Sequence, residues 1–172
     1  SAKSHSISLS KPLRIKYIYL KEGFEGYAIN GTPVDCVKIG LNNVLKRKPN
    51  LLVSGINQGA NVGKNILYSG TVSAAIEGAL NGIPSIAFSF NSSHEKNWET
   101  AELITKKIVK QSLGNNLSSD VILNVNIPDC KISQLKETII TEQGNQYFID
   151  IFRKKIDPRN NNYFWMDGKI KD

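Results

Sequence analysis

The segment Ser54–Gly82, with the sequence SGINQGANVGKNILYSGTVSAAIEGALNG, holds the residues best suited to binding a phosphate or a metal ion. Asn57 and Asn61 each offer an amide oxygen, which suits a hard cation, and amide hydrogens, which suit an anion. The glycines around them, beginning with Gly55, let the backbone turn tightly and come close to a ligand. These residues could instead only form turns, which asparagine and glycine both favour.

A second feature of this segment is the run Ser69-Gly70-Thr71, which immediately precedes an amphipathic helical pattern. A helix start carries unpaired N–H groups and the positive end of the helix dipole, so it can bind a phosphate. The hydroxyls of Ser69 and Thr71 would add donors, and Gly70 would leave room for the anion. Alternatively, the two hydroxyls only cap the helix. The spacing matches neither a Walker loop nor GxGxxG.

Two elements must position these residues. The short apolar run Leu51–Val53 predicts a strand covered on both faces, which leads directly into Ser54. A helix is predicted from Thr71, with an apolar face made of Val72, Ala75, Ile76, Ala79 and Leu80. In open α/β sheets, ligands bind at the carboxyl ends of the strands, where this loop lies.

The rest of the chain repeats the same alternation of strand and helix. Further strands are predicted at Arg14–Leu20, Phe24–Ile29, Ser85–Phe90 and Val121–Ile127. Further helices are predicted from Pro33, with Val34, Val37, Leu41, Val44 and Leu45 buried, and around Trp98, Ala101, Ile104 and Ile108. This order predicts an α/β, Rossmann-like fold with a mostly parallel sheet and helices on both faces.

After Lys131 the sequence no longer alternates between strand and helix patterns. Strands are predicted at Glu137–Glu142, Tyr147–Arg153 and Tyr163–Met166, with turns at Gly144 and at Asp157-Pro158. These elements predict a C-terminal antiparallel β extension on the α/β core.

Composition and charge exclude several classes of protein. The chain has 172 residues, 40% of them hydrophobic and 22% charged, which is typical of one globular domain. No apolar run approaches the roughly 20 residues of a membrane helix, so no membrane partner is expected. The net charge is +7 but only four of the 22 basic residues are arginine, and they are scattered, so no nucleic-acid partner is expected.

Cysteine and histidine are sparse. Cys36 and Cys130 lie in no CxxC pair and no zinc-ligand spacing, which predicts two reduced thiols in a cytoplasmic protein. His5 and His94 are the only histidines, and their spacing supports no Ser-His-Asp or Cys-His hydrolase site.

Several longer motifs resemble the SurE family of metal-dependent nucleotidases. They are SGIN-x-G-x-N-x-G from Ser54, YSGTVSAA-x-EG from Tyr68 and GIPSIAFS from Gly82. Shorter matches are GTPVDCV from Gly31, NVNIP from Asn124, DPR at Asp157, and the opening SAKSHSISL, which resembles the family segment SGxSHSLTL. The resemblance covers nearly the whole chain.

The resemblance implies a phosphomonoester hydrolase for nucleoside monophosphates, a 5′/3′-nucleotidase, with one divalent cation, magnesium or manganese, per subunit. Carried over by motif, the metal ligands are Ser1 and Asn57. The phosphate pocket is lined by Asn61, Ser69, Gly70 and Thr71. The family also implies a homodimer or homotetramer, and a cation that polarises a phosphoryl oxygen and activates a water.

The sequence departs from the family at both ends. The family's Asp-Asp pair, in an NDDG motif, has no counterpart here, so no catalytic residue is assigned beyond the metal site. The expectation is a single SurE-like domain over residues 1–172, lacking the N-terminal βα unit and the C-terminal segment. Neutral ligands alone bind a divalent ion poorly, so residues 1–172 alone are expected to bind manganese weakly and to show little or no nucleotidase activity. Asp35 is the only acid in a family motif that could be proposed as a substitute, but a capping or dipole role at the helix start is favoured for it. Glu77, in the second predicted helix, is interpreted as structural.

Two other functions stay open at this point. A SurE-like core without the acidic pair could bind nucleotides or phosphate without hydrolysis. The positive charge alone suggests a nucleic-acid-binding protein, which would require strong, salt-sensitive duplex binding.

Overall fold

A three-stranded parallel sheet lies at the centre of the computed structural model, which describes residues 3–19, 23–92 and 97–171. The strands are β1 Ile15–Tyr19, β2 Glu25–Ile29, β3 Leu52–Gln58, β4 Ser85–Asn91, β5 Ile122–Pro128, β6 Tyr147–Ile156 and β7 Asn162–Lys171. The α-helices are α1 Pro33–Ile39, α2 Gly70–Leu80 and α3 Trp98–Gly114. Short turns of other helix types cover Gly40–Val44, Gly63–Tyr68 and Ile132–Gln134.

The central strand β4 explains why the sheet carries helices on both faces. The strand order is β3-β4-β5, all parallel, and every residue of SIAFSF in β4 is buried. Its alternate residues Ile86, Phe88 and Phe90 form one core cluster with Ala101 of α3. Ala87, which points the other way, packs with Val72 and Ala75 of α2. The predicted parallel sheet with helices on both faces is therefore confirmed.

Some expectations about burial are wrong. Val53 is 44% exposed, because β3 is an outer strand of the described sheet and β4 is the strand covered on both faces. Leu45 is also exposed, because α1 ends at Ile39 and the chain leaves the following π-helical turn in an extended conformation. Leu80 is exposed because it is the last residue of α2.

Two antiparallel hairpins flank this core, β1–β2 and β6–β7. The second hairpin confirms the C-terminal extension, with a turn in which the Asp157 carboxylate accepts the backbone N–H groups of Arg159 and Asn161. The predicted strand Glu137–Glu142 is wrong, since these residues form no strand. Ile139 and Ile140 are adjacent and both exposed, so this segment has no alternating face to bury.

Thr105 in α3 offers a simple test of the packing between α3 and the sheet. Its hydroxyl is buried and has no hydrogen-bond partner among the described residues. A buried hydroxyl without a partner costs free energy, so Thr105→Val, which keeps the shape, is expected to raise the free energy of unfolding by about 1 kcal/mol. Urea denaturation measures the change. A loss of stability would mean that the hydroxyl has a partner in solution.

None of the helices within residues 3–19, 23–92 and 97–171 is both long enough and apolar enough to cross a membrane.

Candidate phosphate and metal site

A bulge in β3 determines where Asn57 points. β3 pairs with β4 in regular register from Leu52 to Ser54, which lies opposite Ala87, and the pairing then shifts so that Asn57 lies opposite Ser89. Two residues of β3 therefore oppose a single residue of β4, which defines a β-bulge. In an unbroken strand, Asn57 would face the side opposite to Ser54, because side chains alternate.

The bulge instead gives Asn57 the same face as Ala87, the face covered by α2. Ile56 takes the other face and packs into the cluster beneath α3. The Asn57 Nδ2 donates a hydrogen bond of 2.8 Å to the carbonyl of Gly59, which leaves its Oδ1 available to accept a ligand or coordinate a cation.

Gly55 is the residue that makes this bulge possible. Its φ of +111° is a conformation that residues with side chains rarely adopt. A Cβ at this position would also overlap the backbone oxygen of Phe88 on the neighbouring strand. The glycine of the SGIN motif is thus required by the backbone itself.

The second part of the site is the start of α2, at Ser69-Gly70-Thr71. Ser69 is the N-cap residue, and its Oγ accepts the Val72 N–H at 3.2 Å, so the capping alternative is correct for this hydroxyl. The N–H groups of Gly70 and Thr71 lie in the first turn and have no acceptor in the part of the chain that the structure describes. Two donors and the helix dipole are therefore available to an anion.

The packing of α1 against α2 is a structural reason for a glycine at position 70. A Cβ at this position would lie 2.9 Å from Cγ of Pro33, the first residue of α1. The glycine thus lets the first turns of α1 and α2 pack against each other. Its predicted role in leaving room for a phosphate stays a prediction.

Asn61 is buried and is held by a network of partly buried side-chain amides. Its Nδ2 donates to Ser89 Oγ at 2.6 Å, and its backbone N–H donates to Asn126 Oδ1 at 2.9 Å. Its carbonyl accepts from the amides of Asn124 and Asn126. These bonds fix the loop over the ends of β4 and β5. The role of Asn61 toward phosphate stays a prediction.

The N-terminal segment that begins at Lys3 runs beside the start of α2. Ser4 donates from its backbone to the Tyr68 carbonyl at 3.1 Å and from its hydroxyl to the Leu67 carbonyl at 2.8 Å. Both acceptors directly precede Ser69. Ser1, the predicted metal ligand, lies outside the described residues.

Asp35 caps α1, as the sequence analysis favoured. It forms a capping box with Thr32, whose backbone N–H donates to Asp35 Oδ2 at 2.8 Å, while Ser8 N–H donates to Oδ1 at 3.0 Å. Burial is the largest influence on this carboxyl and raises its pKa, but these hydrogen bonds outweigh it and hold the pKa below its usual value. Asp35 therefore ties the N-terminal segment to α1.

Glu77 is a buried carboxylate in an ion cluster with the partly exposed side chains of Lys38 and His5, which fits the structural role favoured for it. Its carboxylate is 2.7 Å from Lys38 Nζ and 2.9 Å from His5 Nε2, and it accepts a hydrogen bond from Asn81. Burial, the largest influence, raises the pKa of Glu77, but the hydrogen bonds from Lys38 and His5 outweigh it, so the pKa lies below its usual value. The cluster joins α1, α2 and the N-terminal segment.

This lowered pKa predicts a pH dependence of stability. A carboxyl whose pKa is lowered by folding stabilises the protein above its unfolded-state pKa, and this contribution is lost as the pH falls through the folded-state pKa. Glu77→Gln is therefore expected to destabilise the protein by about 2–3 kcal/mol at pH 7 and by clearly less below pH 4. Urea denaturation of both proteins at each pH measures the difference. A cost that does not change with pH would contradict the ion cluster.

A divalent cation needs more than the described residues offer. The Oδ1 of Asn57 is a hard oxygen donor of the right kind, but among residues 3–19, 23–92 and 97–171 no group of three acidic, histidine or cysteine side chains could hold a metal. Cys36 and Cys130 are both unpaired and partly buried. These residues alone therefore do not form a complete metal site.

Sequence reasoning missed two features of this region. The amide network depends on Asn124 and Asn126, whose alternate spacing in β5 places both on one face, and on Ser89 in β4. The spacing in NVN was a usable signal. The contact of His5 with Glu77 joins residues 72 positions apart, and no local pattern could have indicated it.

Comparisons with known proteins fit this geometry. Residues 1–150 match the family model described as survival protein SurE. The chain belongs to the SurE family. The 5′-nucleotidase SurE of Caldanaerobacter subterraneus subsp. tengcongensis is 45% identical over 174 residues, covering 100% of this chain and 67% of that protein. The 5′-nucleotidase SurE of Thermoanaerobacter sp. strain X514 is 47% identical over 181 residues, covering 100% and 68%.

A solved structure supports the same family assignment. The crystal structure of the SurE protein from Aquifex aeolicus superposes with a TM-score of 0.77 at 38% identity, covering 96% of this chain and 66% of that chain. This SurE chain therefore spans about two thirds of the length of the relatives described here. The predicted family and fold class are confirmed.

Proposed function

We propose that this chain carries the phosphate-binding core of a metal-dependent 5′-nucleotidase, a hydrolase of nucleoside monophosphates. The observation that carries the proposal is the bulge at Gly55, which turns Asn57 toward the side of the sheet where α2 begins. A cation ligand and an anion-binding helix start thus belong to the same edge and face of the sheet. Two relatives named 5′-nucleotidase support the proposed substrate.

The residues of this chain would act mainly by positioning the phosphoryl group. The N–H groups of Gly70 and Thr71, with the Thr71 hydroxyl, would donate to its oxygens as negative charge builds up in the transition state. The first turn of α2 adds its dipole. This geometry requires no covalent nucleophile.

The divalent cation, magnesium or manganese, would polarise the phosphoryl group when bound. The Asn57 Oδ1 is a suitable ligand, and the contacts of Ser4 beside the start of α2 support the proposal that Ser1, three residues earlier, is another. Both are neutral, so carboxylates from outside this set must supply most of the attraction.

The experiment is phosphate release from AMP by the complete gene product, assayed with manganese, with magnesium and with a chelator. Release that needs the metal, and that is absent with a phosphodiester, is the expected result. Equal release in the presence of the chelator would contradict the metal-dependent mechanism, and nucleotide binding without release would favour the non-catalytic alternative. Two unpaired thiols fit a cytoplasmic setting for this activity.

The β6–β7 hairpin supports a homo-oligomer. Large side chains on both of its faces are exposed, among them Phe152 and Phe164 on one face and Trp165 on the other. A two-stranded hairpin is marginally stable alone, and exposed apolar patches of this kind mark interaction surfaces. A second copy of the chain would cover these side chains in a homodimer or homotetramer.

The oligomer predicts the result of a charge substitution on the hairpin. Trp165→Glu is expected to dissociate the oligomer to monomers at micromolar concentration, because a carboxylate would be buried in the apolar contact. Light scattering after size-exclusion chromatography measures the mass. Leu103→Glu, at an exposed leucine of α3, is the matched control and should leave the mass unchanged. A wild-type monomer would contradict the oligomer.

A further inference from the structure

A cavity at the carboxyl edge of the sheet is lined by residues that suit a nucleobase. Its volume is about 410 Å³, within the usual range for small-molecule sites. Its apolar walls are Ala60, Val62 and Pro128, and its amides belong to Asn91, Asn126 and Gln146. None of its lining residues in the described part of the chain is ionisable, so it suits a neutral group better than a phosphate.

The position of this cavity ties it to the phosphate site. Asn91 and Pro128 are the last residues of β4 and β5 and are paired with each other, so the cavity opens where the parallel strands end. Ala60 and Val62 come from the loop between β3 and α2, the same loop that leads to Ser69. The other cavity, of about 380 Å³, lies at the start of β5 and the end of α2, on the opposite edge.

The amide network keeps the shape of the cavity. Asn126 is held on both sides, its Oδ1 accepting from the Asn61 N–H and its Nδ2 donating to the Asn61 carbonyl. Asn61 thus points into the protein, while its neighbours Ala60 and Val62 face the cavity. The exposed amide of Asn91 can both donate and accept, as the edge of a nucleobase requires.

We infer that this cavity binds the base of a nucleoside monophosphate, with Val62 and Pro128 against the ring and Asn91 as a specificity-determining residue at its edge. The inference rests on the proposed function for the phosphate end of the ligand. It assigns substrate recognition to a different part of the sheet edge from the helix start of α2.

The test compares binding of three probes, namely AMP, adenosine and inorganic phosphate, by calorimetry. AMP is expected to bind at least tenfold more tightly than phosphate. Asn91→Leu and Ala60→Trp, which fills the cavity, should each remove at least tenfold of the affinity for AMP and adenosine while leaving phosphate binding unchanged. Val121→Trp, in the cavity of the opposite edge, is the matched control and should leave all three affinities unchanged.

The outcomes separate the two claims. Equal affinity for AMP and phosphate in the wild type, or full AMP affinity in both cavity variants, overturns the nucleobase site. Binding of adenosine that is lost in Ala60→Trp, together with no binding of phosphate, supports the nucleobase site and contradicts the proposed phosphate site. NMR spectra of each variant show that it is folded.

Discussion

Gly55→Ala is expected to lower the free energy of unfolding by about 3 kcal/mol or more and to turn Asn57 away from the candidate metal site. The substitution has two separate costs, because the backbone is held at a φ of +111° and the new Cβ would overlap the Phe88 carbonyl oxygen. Relief of this overlap requires the bulge to be lost. An unbroken strand would turn Asn57 to the face of α3, away from the helix start.

The matched control for this experiment is Gly59→Ala. Gly59 also has a positive φ, +93°, but a Cβ there meets no atom within 4 Å. It should therefore cost only the backbone strain, about 1–2 kcal/mol. Urea denaturation of the two variants measures the difference. Equal losses of unfolding free energy would mean that the bulge tolerates a side chain at position 55. The glycine would then not be what sets the direction of Asn57.

Thr71→Val is expected to lower kcat/KM for AMP by about 100-fold with little change in stability. It removes one hydroxyl from the group of donors at the start of α2 but keeps the shape of the side chain, and a single donor to a developing oxyanion contributes about this much. Thr71 is half-buried and does not cap the helix, since Ser69 does. The variant keeps the backbone N–H groups of the helix start. The affinity for inorganic phosphate should therefore fall by a smaller factor than kcat/KM does.

Thr105→Val is the matched control for this substitution, because it makes the same change in α3 and should leave kcat/KM unchanged. Steady-state kinetics with manganese measures both variants. Full activity in Thr71→Val would mean that its hydroxyl does not contact the transferred group, and only the backbone N–H groups would remain as donors.

The elements of the core could be predicted from the sequence because their local patterns agree with their burial. SIAFSF in β4 has the length and apolar content of a strand, and Ser69-Gly70-Thr71 is a typical helix start. Coverage on both faces was expected for Leu51–Val53, but β4 is the strand that has it. The strand predicted at Glu137–Glu142 is wrong because its two adjacent isoleucines have high strand propensity but cannot lie on the same face of a strand.

The directions in which the side chains of the site point could not be predicted from local sequence patterns. SGIN resembles a loop, whereas β3 continues through a bulge to Gln58, and only the pairing with Ser89 reveals the face that Asn57 takes. The role of Gly70 against Pro33 and the ion cluster around Glu77 depend on contacts between distant parts of the chain. Composition and periodicity carry no information about such contacts.

The most direct test of the central claim, that the start of α2 binds the phosphoryl group, is an NMR titration of the protein with inorganic phosphate. The account predicts that the amide N–H signals of Gly70 and Thr71 move farthest and saturate together, since these two groups have no acceptor among the described residues. The chain also has three consecutive basic residues, Lys46, Arg47 and Lys48, which could attract phosphate by charge alone. Movement confined to their signals, with Gly70 and Thr71 unchanged, would contradict the claim.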